Sequence, residues 1–324
     1  MRTLGLTLIA SVLFTLPCAG QTTLPVPEET KMVMQLDVNA FAKTDLGTRT
    51  VSLIQKIASK EMSMDEAKFT SIIEQTVGFD PFTEIQTVSV LVSDYDSPEK
   101  DLRMVLQMKT TTGNLEGLML SLPGYNFDEK DGVTIHTIKE DGGSAFAAFL
   151  DNVDGSKRIM AAASEKGLMQ MLQRDQSPTK RIKRQVNSAV PEGAFAQLQI
   201  FQLPNEALEI DPDNNLVMKL VDNLSIVFGE AGSDITADVT LTAIDEKKAE
   251  QIQQLVQGFT SALGLLKQEE TPDGDEEADA EMAMMLDLLD GAQVERSGEN
   301  VTIHLKVPVK VIIDFIRDEA ELPL

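Results

Sequence analysis

The chain has 324 residues, enough for two modest domains or one large core. Hydrophobic residues make up 42% and charged residues 25%, a balance typical of globular proteins. Against 28 bases stand 52 acids, a net charge of −24; such a surface repels phosphate backbones and excludes a nucleic-acid binder.

Arg2 is followed by an apolar run from Leu4 to Leu16 that breaks at Pro17. The small residues Cys18-Ala19-Gly20 then set up a cut before Gln21. A positive start, a short apolar stretch and a small-residue exit define a secretory signal peptide over 1–20. The run is too short for a membrane span of about 20 residues, and no later segment replaces it. Acylation of Cys18 is the competing reading. A lipoprotein signal wants Leu three residues before the cysteine and a small residue immediately before it. Thr15 and Pro17 stand there instead, so simple cleavage is preferred. The mature chain then has no thiol, which removes disulfides, cysteine nucleophiles and cysteine-held metals together.

Residues 21–30, with Pro25 and Pro27, read as an extended lead-in. Met32, Met34, Leu36 and Val38 alternate with polar or smaller neighbours as in a strand. Helices are expected over 46–60 and 65–77, the second capped by Ser63 and Glu66 and ended by Gly78. Two strands follow near 87–93 and 102–109, joined by Asp94-Tyr95-Asp96-Ser97-Pro98 as a turn. A helix near 113–122 stops at Pro123-Gly124. A hairpin then runs from Tyr125 to Lys139 around Asp131-Gly132, and Gly142-Gly143-Ser144 reads as a turn. Strands 145–150 and 157–162 and a helix at 164–174 close a first half, 31–176.

Residues 177–193 are polar, with Pro178 and Pro191, and hold Lys180, Arg181, Lys183 and Arg184; they read as a basic connector. A second half, 194–324, opens with a strand near 195–203. A short helix near 213–222 and strands near 224–229 and 235–243 follow. Ile235, Ala237, Val239, Leu241 and Ala243 alternate with polar residues, the cleanest half-buried strand pattern in the chain. Ile252, Leu255, Val256, Phe259, Leu263 and Leu266 share one face of a long amphipathic helix. An acidic insertion at 268–281, a helix near 282–289, a hairpin and a helix near 309–317 complete the chain.

The two halves share one order: strand, helix, strand, strand, helix, hairpin. The hairpins echo each other in sequence, with Val133-Thr134-Ile135-His136 after Gly124 and Val301-Thr302-Ile303-His304 after Gly291. The position of the repeat within the same order points to an internal duplication. The expected fold is therefore α+β: two related antiparallel sheets, each with helices on one face, in the strand order of a ferredoxin-like unit. One continuous sheet shared by both halves is the alternative.

Candidate chemistry is sparse. His136 and His304 are the two histidines. In 301–307, Val301, Ile303, Leu305 and Val307 share a face, which puts His304 opposite with Thr302 and Lys306. Both histidines are thus expected on an exposed polar hairpin face rather than as metal ligands or pH-sensing groups. The segment Glu269–Glu281 carries eight acids and no base; it reads as a solvated insertion, with a Ca²⁺-ordered loop or a clasp onto Lys180–Arg184 as sharper alternatives. Asp211, Asp213, Asn215 and Asp222 copy part of an EF-hand loop. Leu216 replaces its glycine, however, and Lys219 brings in positive charge, so a capped turn is preferred. Methionine pairs at 32/34, 62/64, 169/171 and 282/284 could hold Cu(I) but read as core filling. No phosphate-binding loop, nucleophile elbow or zinc-helix motif is present, and the absence of Trp argues against a sugar site. The sequence assigns no catalytic, cofactor-binding or metal residue and implies no cofactor.

Asp37-Val-Asn-Ala-Phe41 and Gly78-Phe-Asp-Pro81 resemble segments of uncharacterised exported proteins of environmental bacteria such as the planctomycetes. The resemblance implies export and a non-enzymatic role, and it carries no residue assignment. The reading that results is an exported, periplasmic or extracellular, non-enzymatic binding or structural protein, whose partner is another protein or an apolar ligand. Its alternatives are a Ca²⁺-dependent module ordered through the acidic loop and a hydrolase using dispersed carboxylates.

Overall fold

The computed structural model describes residues 24–61, 84–109, 117, 119–120, 122–140, 143–152, 155–176, 189–202, 218–266 and 292–313. Several expectations lie outside these residues: the signal peptide, the helices at 65–77 and 282–289, most of the helix at 113–122, residues 177–188 of the connector, and the acidic insertion. The chain divides into two compact units, Met1–Ala196 and Gln197–Leu324.

The first unit begins with β1 (Met32–Asp37), α1 (Val38–Ala42) and α2 (Asp45–Glu61). The Asp37 side chain ends β1 and caps α1 by accepting the Ala40 N–H at 3.0 Å. Phe41 of α1 meets Phe195 with ring centroids 5.4 Å apart. Next come β2 (Ile85–Val92), β3 (Arg103–Met108), β4 (Tyr125–Lys130), β5 (Val133–Glu140), β6 (Gly143–Asp151) and β7 (Lys157–Ala162). A short α3 (Pro98–Asp101) lies between β2 and β3, and α4 (Glu165–Gln176) follows β7. All registered pairs are antiparallel, in the order β1-β2-β3-β7-β6-β5-β4.

The hairpin at Asp131-Gly132 forms where expected. Both residues have positive φ, +53° and +79°, the backbone of a turn whose twist matches that of the flanking strands. Two expectations need correction. The segment after Asp94 is not a plain turn, because Pro98 starts one turn of helix, where a proline's missing N–H costs nothing. Gly143 and Ser144 are strand residues, since β6 pairs with β5 from Glu140↔Gly143 onward.

α4 packs on β6 and β7, and its Leu168, Met171 and Leu172 are buried. The sheet face beneath it is sealed. Along the row Gln35–Ser89–Val105–Met160–Ala148 no residue exceeds 4% exposure.

The second unit contains β9 (Val221–Ala231), β10 (Asp234–Ala243), α5 (Glu246–Leu266), β11 (Gln293–Ser297) and β12 (Asn300–Pro308). β8 (Ala194–Ile200) spans the division between units, and the order is β8-β9-β10-β12-β11. The helix expected near 213–222 is reduced, among the described residues, to a 3-10 turn at Met218–Leu220. β9 begins at Val221, three residues earlier than expected, because it stays paired with β10 as far as Ala243↔Val221. α5 packs on β10, β11 and β12, where Ala249 and Ile252 join Leu220, Leu241, Ala243 and Val301 in one apolar core. Among the described residues, no helix is long and apolar enough to cross a membrane.

Candidate functional site

Side chains alternate across a strand, so the register of the first unit sorts them into rows on two faces. On the face opposite α4, one row crosses seven strands: Met34–Val90–Met104–Ala161–Ala147–His136–Phe127. Met34 is 37% and Phe127 57% exposed, while Val90, Met104, Ala161 and Ala147 are half-buried. The neighbouring row Leu36–Val88–Leu106–Ile159 is buried, none of it above 8%.

The open part of this face has a shape. Ala147 and Ala161 sit opposite each other. Ala145 and Ala163 extend them towards Leu102, which is 42% exposed and whose carbonyl accepts the Ala163 N–H at 2.9 Å. Four methyl groups make a low floor. Met104 stands on one side of it, His136 on the other, and Ile159 and Phe149 at one end. Methionine is an adaptable wall for apolar contact, and the floor with its walls leaves an apolar patch partly open to solvent.

His136 corrects the sequence reading. It is 2% exposed rather than on an open polar face. Its row neighbours are Ala147 and Phe127, Phe149 meets it edge-on at 5.0 Å, and its Nδ1 shares a hydrogen bond with Tyr125 Oη at 2.9 Å. The alternation around His304 does not transfer to β5, where Tyr125 and Phe149 pack against the ring.

His304 lies where expected, on a polar face of β12 in the second unit. Its Nδ1 is 2.7 Å from Asp238 Oδ1 and its Nε2 3.9 Å from Glu295 Oε2. Thr240–Thr302 and Thr242–Asn300 continue the same β10–β12 ladder of polar pairs at 3.1 and 2.9 Å. The two carboxylates meet opposite nitrogens of one ring and do not converge on a common point. No group of three or more metal-binding side chains forms among the described residues.

Sequence reasoning missed two buried arginines under α4. Arg103 gives Nη1 to Glu29 at 3.0 Å, and Nη2 to Asp101 at 3.0 Å and to Gln170 at 3.1 Å. Arg158 gives Nη2 to Asp175 at 2.7 Å. Each guanidinium is tolerated inside because a carboxylate meets it. The only hint in the sequence was an arginine at each of two inward strand positions.

Of the methionine pairs, Met171 is buried in the α4 core, and Met32 and Met34 share the open face of β1. The pairs at 62/64 and 282/284 lie outside the described residues, as do the acidic segment and Asp211–Asn215.

Fold and face together define a mixed α/β protein dominated, among the described residues, by antiparallel sheet, with a partly open apolar sheet face. No family model matches the chain, and no curated protein matches it. Among solved structures, crystal form III of TP0453 is similar in fold, with a TM-score of 0.50 at 13% identity over 93% of this chain and 100% of that one. Crystal form IV of TP0453 gives 0.47 at 11% identity over 92% and 97%.

Proposed function

We propose that the chain is an exported, non-enzymatic binding protein, and that the alanine-floored face of its first unit takes an apolar ligand. The observation that carries this reading is the contrast between the two faces of one sheet. The α4 side is sealed, while the row through Met34, Met104 and Phe127 is left partly open at a cost of about 25 cal/mol for each Å² of apolar surface in water. A face selected for stability alone would carry polar groups there. Export rests on the leader at 1–20.

An internal duplication is the reading we favour for the origin of the fold. Val133–His136 and Val301–His304 each lie on the second strand of the hairpin that ends the strand order of its unit. The copies have diverged in use, one histidine enclosed by aromatic rings and the other beside Asp238.

Native mass spectrometry of the mature protein, purified gently from its own host, tests the function. The expected result is a chain starting at Gln21 that carries an apolar molecule of constant mass, released by organic solvent. A bare chain, or one whose extra mass is a divalent ion, overturns the reading.

A further inference from the structure

Thioether sulfur is the reactive group of the apolar face. Met34 and Met104 stand in one row of it, on either side of Val90. Met34 is 37% exposed, and among the described side chains it is the one exposed methionine. Met104 is half-buried beside the alanine floor, and Met108, Met160 and Met171 do not exceed 1%. A thioether reacts with a peroxide that can reach it, so exposure sets the order of attack. Few other groups compete. Trp is absent, and the single cysteine, Cys18, falls within the expected leader. A chain cut before Gln21 therefore meets an oxidant with methionine sulfur and no thiol.

The place of the sulfur decides what oxidation does. Met34 shares its row with Val90 and Met104, so a ligand spread over that row covers its thioether. A sulfoxide keeps the side chain in place but adds a strongly polar S–O group. An apolar ligand offers that oxygen no donor, and a polar group covered without a partner costs affinity. Left open to water, the same sulfoxide stays hydrated. Oxidation at Met34 therefore opposes binding without opposing folding.

We propose that Met34 is an oxidation site that controls the apolar face: a peroxide converts its thioether to the sulfoxide, and the ligand is released. A sulfur lone pair attacks one peroxide oxygen, and the S–O bond forms as the O–O bond breaks. The departing hydroxide takes the proton left on the transferred oxygen and leaves as water. Sulfur gives up an electron pair and the peroxide accepts it. Control of binding rests on the apolar-face reading, while the site of oxidation rests on exposure alone.

Stepwise treatment of the full mature chain with hydrogen peroxide tests this, with peptide mass mapping, a melting curve and titration by an environment-sensitive apolar dye at each step. Met34 sulfoxide is expected to form before the sulfoxides of Met108, Met160 and Met171. Dye binding should weaken about tenfold as it forms, with an unchanged melting curve. Met34→Leu removes the sulfur and nearly keeps the apolar volume. It is expected to bind the dye like the unsubstituted chain and to go on binding it after the same treatment, which separates Met34 from every other methionine. Attack on the buried methionines first, dye held equally after Met34 is oxidised, or equal loss in Met34→Leu overturns the inference and leaves the apolar-face reading standing. A chain that takes up no dye before oxidation overturns both.

Discussion

Arg103 runs directly beneath Gly167, so closely that a Cβ on the glycine would stand 3.0 Å from Nε. Alanine in a helix interior is ordinarily worth about 0.5–1 kcal/mol over glycine. Here the gain is lost, because the guanidinium is held from three sides and has nowhere to move. Gly167→Ala is expected to lower stability by about 1 kcal/mol, the usual cost of mild overpacking. Gly258 in α5 has nothing within 4 Å of its Cβ position, so Gly258→Ala should raise stability by about 0.5–1 kcal/mol. Urea midpoints of the two variants should move in opposite directions.

Arg158 depends on Asp175. Their side chains are 9% and 21% exposed, and removing the carboxylate leaves a buried charge without compensation. Asp175→Asn should cost about 2 kcal/mol in equilibrium denaturation. A loss under half of that would mean that water reaches Arg158.

Tyr125→Phe removes the hydroxyl that meets His136 Nδ1 at 2.9 Å. Loss of a hydrogen bond to a buried ring should cost about 1 kcal/mol. Hydrogen exchange should also quicken in β4 and β5 before the rest of the sheet, because β4 is the last strand in the order of its unit.

Alkaline pH should loosen the first unit by two routes. The Glu165 carboxylate, hydrogen-bonded to Lys130, raises the lysine above its ordinary value. Burial raises Tyr95 by disfavouring the phenolate. Both groups hold their proton more tightly folded than unfolded. Their contribution is therefore complete below the unfolded values, about 10 for both, and is lost as pH climbs through the raised ones. Thermal midpoints should hold steady up to about pH 10 and then fall. In Tyr125→Phe, where Tyr95 is the remaining tyrosine, tyrosinate absorbance should develop above about pH 10; development at lower pH would contradict burial as the cause.

Much of the fold was legible because it rests on period-two patterns and turn chemistry. Ile235–Ala243 alternates without a break, and Asp131-Gly132 can adopt the two positive φ values that a tight hairpin needs. Spatial order was not legible: β7 lies beside β3, and β12 beside β10, pairings that no local pattern encodes. The candidate site was hidden for a related reason. Ala145, Ala147, Ala161 and Ala163 are unremarkable in sequence and become a floor only when register sets β6 beside β7. His136 was misjudged because its strand alternates like that of His304, while its neighbours across the sheet are alanine and aromatic instead of aspartate. The buried arginines escaped because a guanidinium is read as surface until its carboxylates, 2 to 74 residues away, come into place.

The apolar face is tested most directly by titrating the native chain with an environment-sensitive apolar dye, beside Met34→Glu and Ala145→Glu. Both positions are exposed, so neither carboxylate should disturb the fold, and melting curves check this. The expected result is saturable binding by the unsubstituted chain, well below its unfolding transition, and at least tenfold weaker binding in both variants. Dye uptake only on unfolding, or equal uptake by all three proteins, would contradict an apolar ligand on this face.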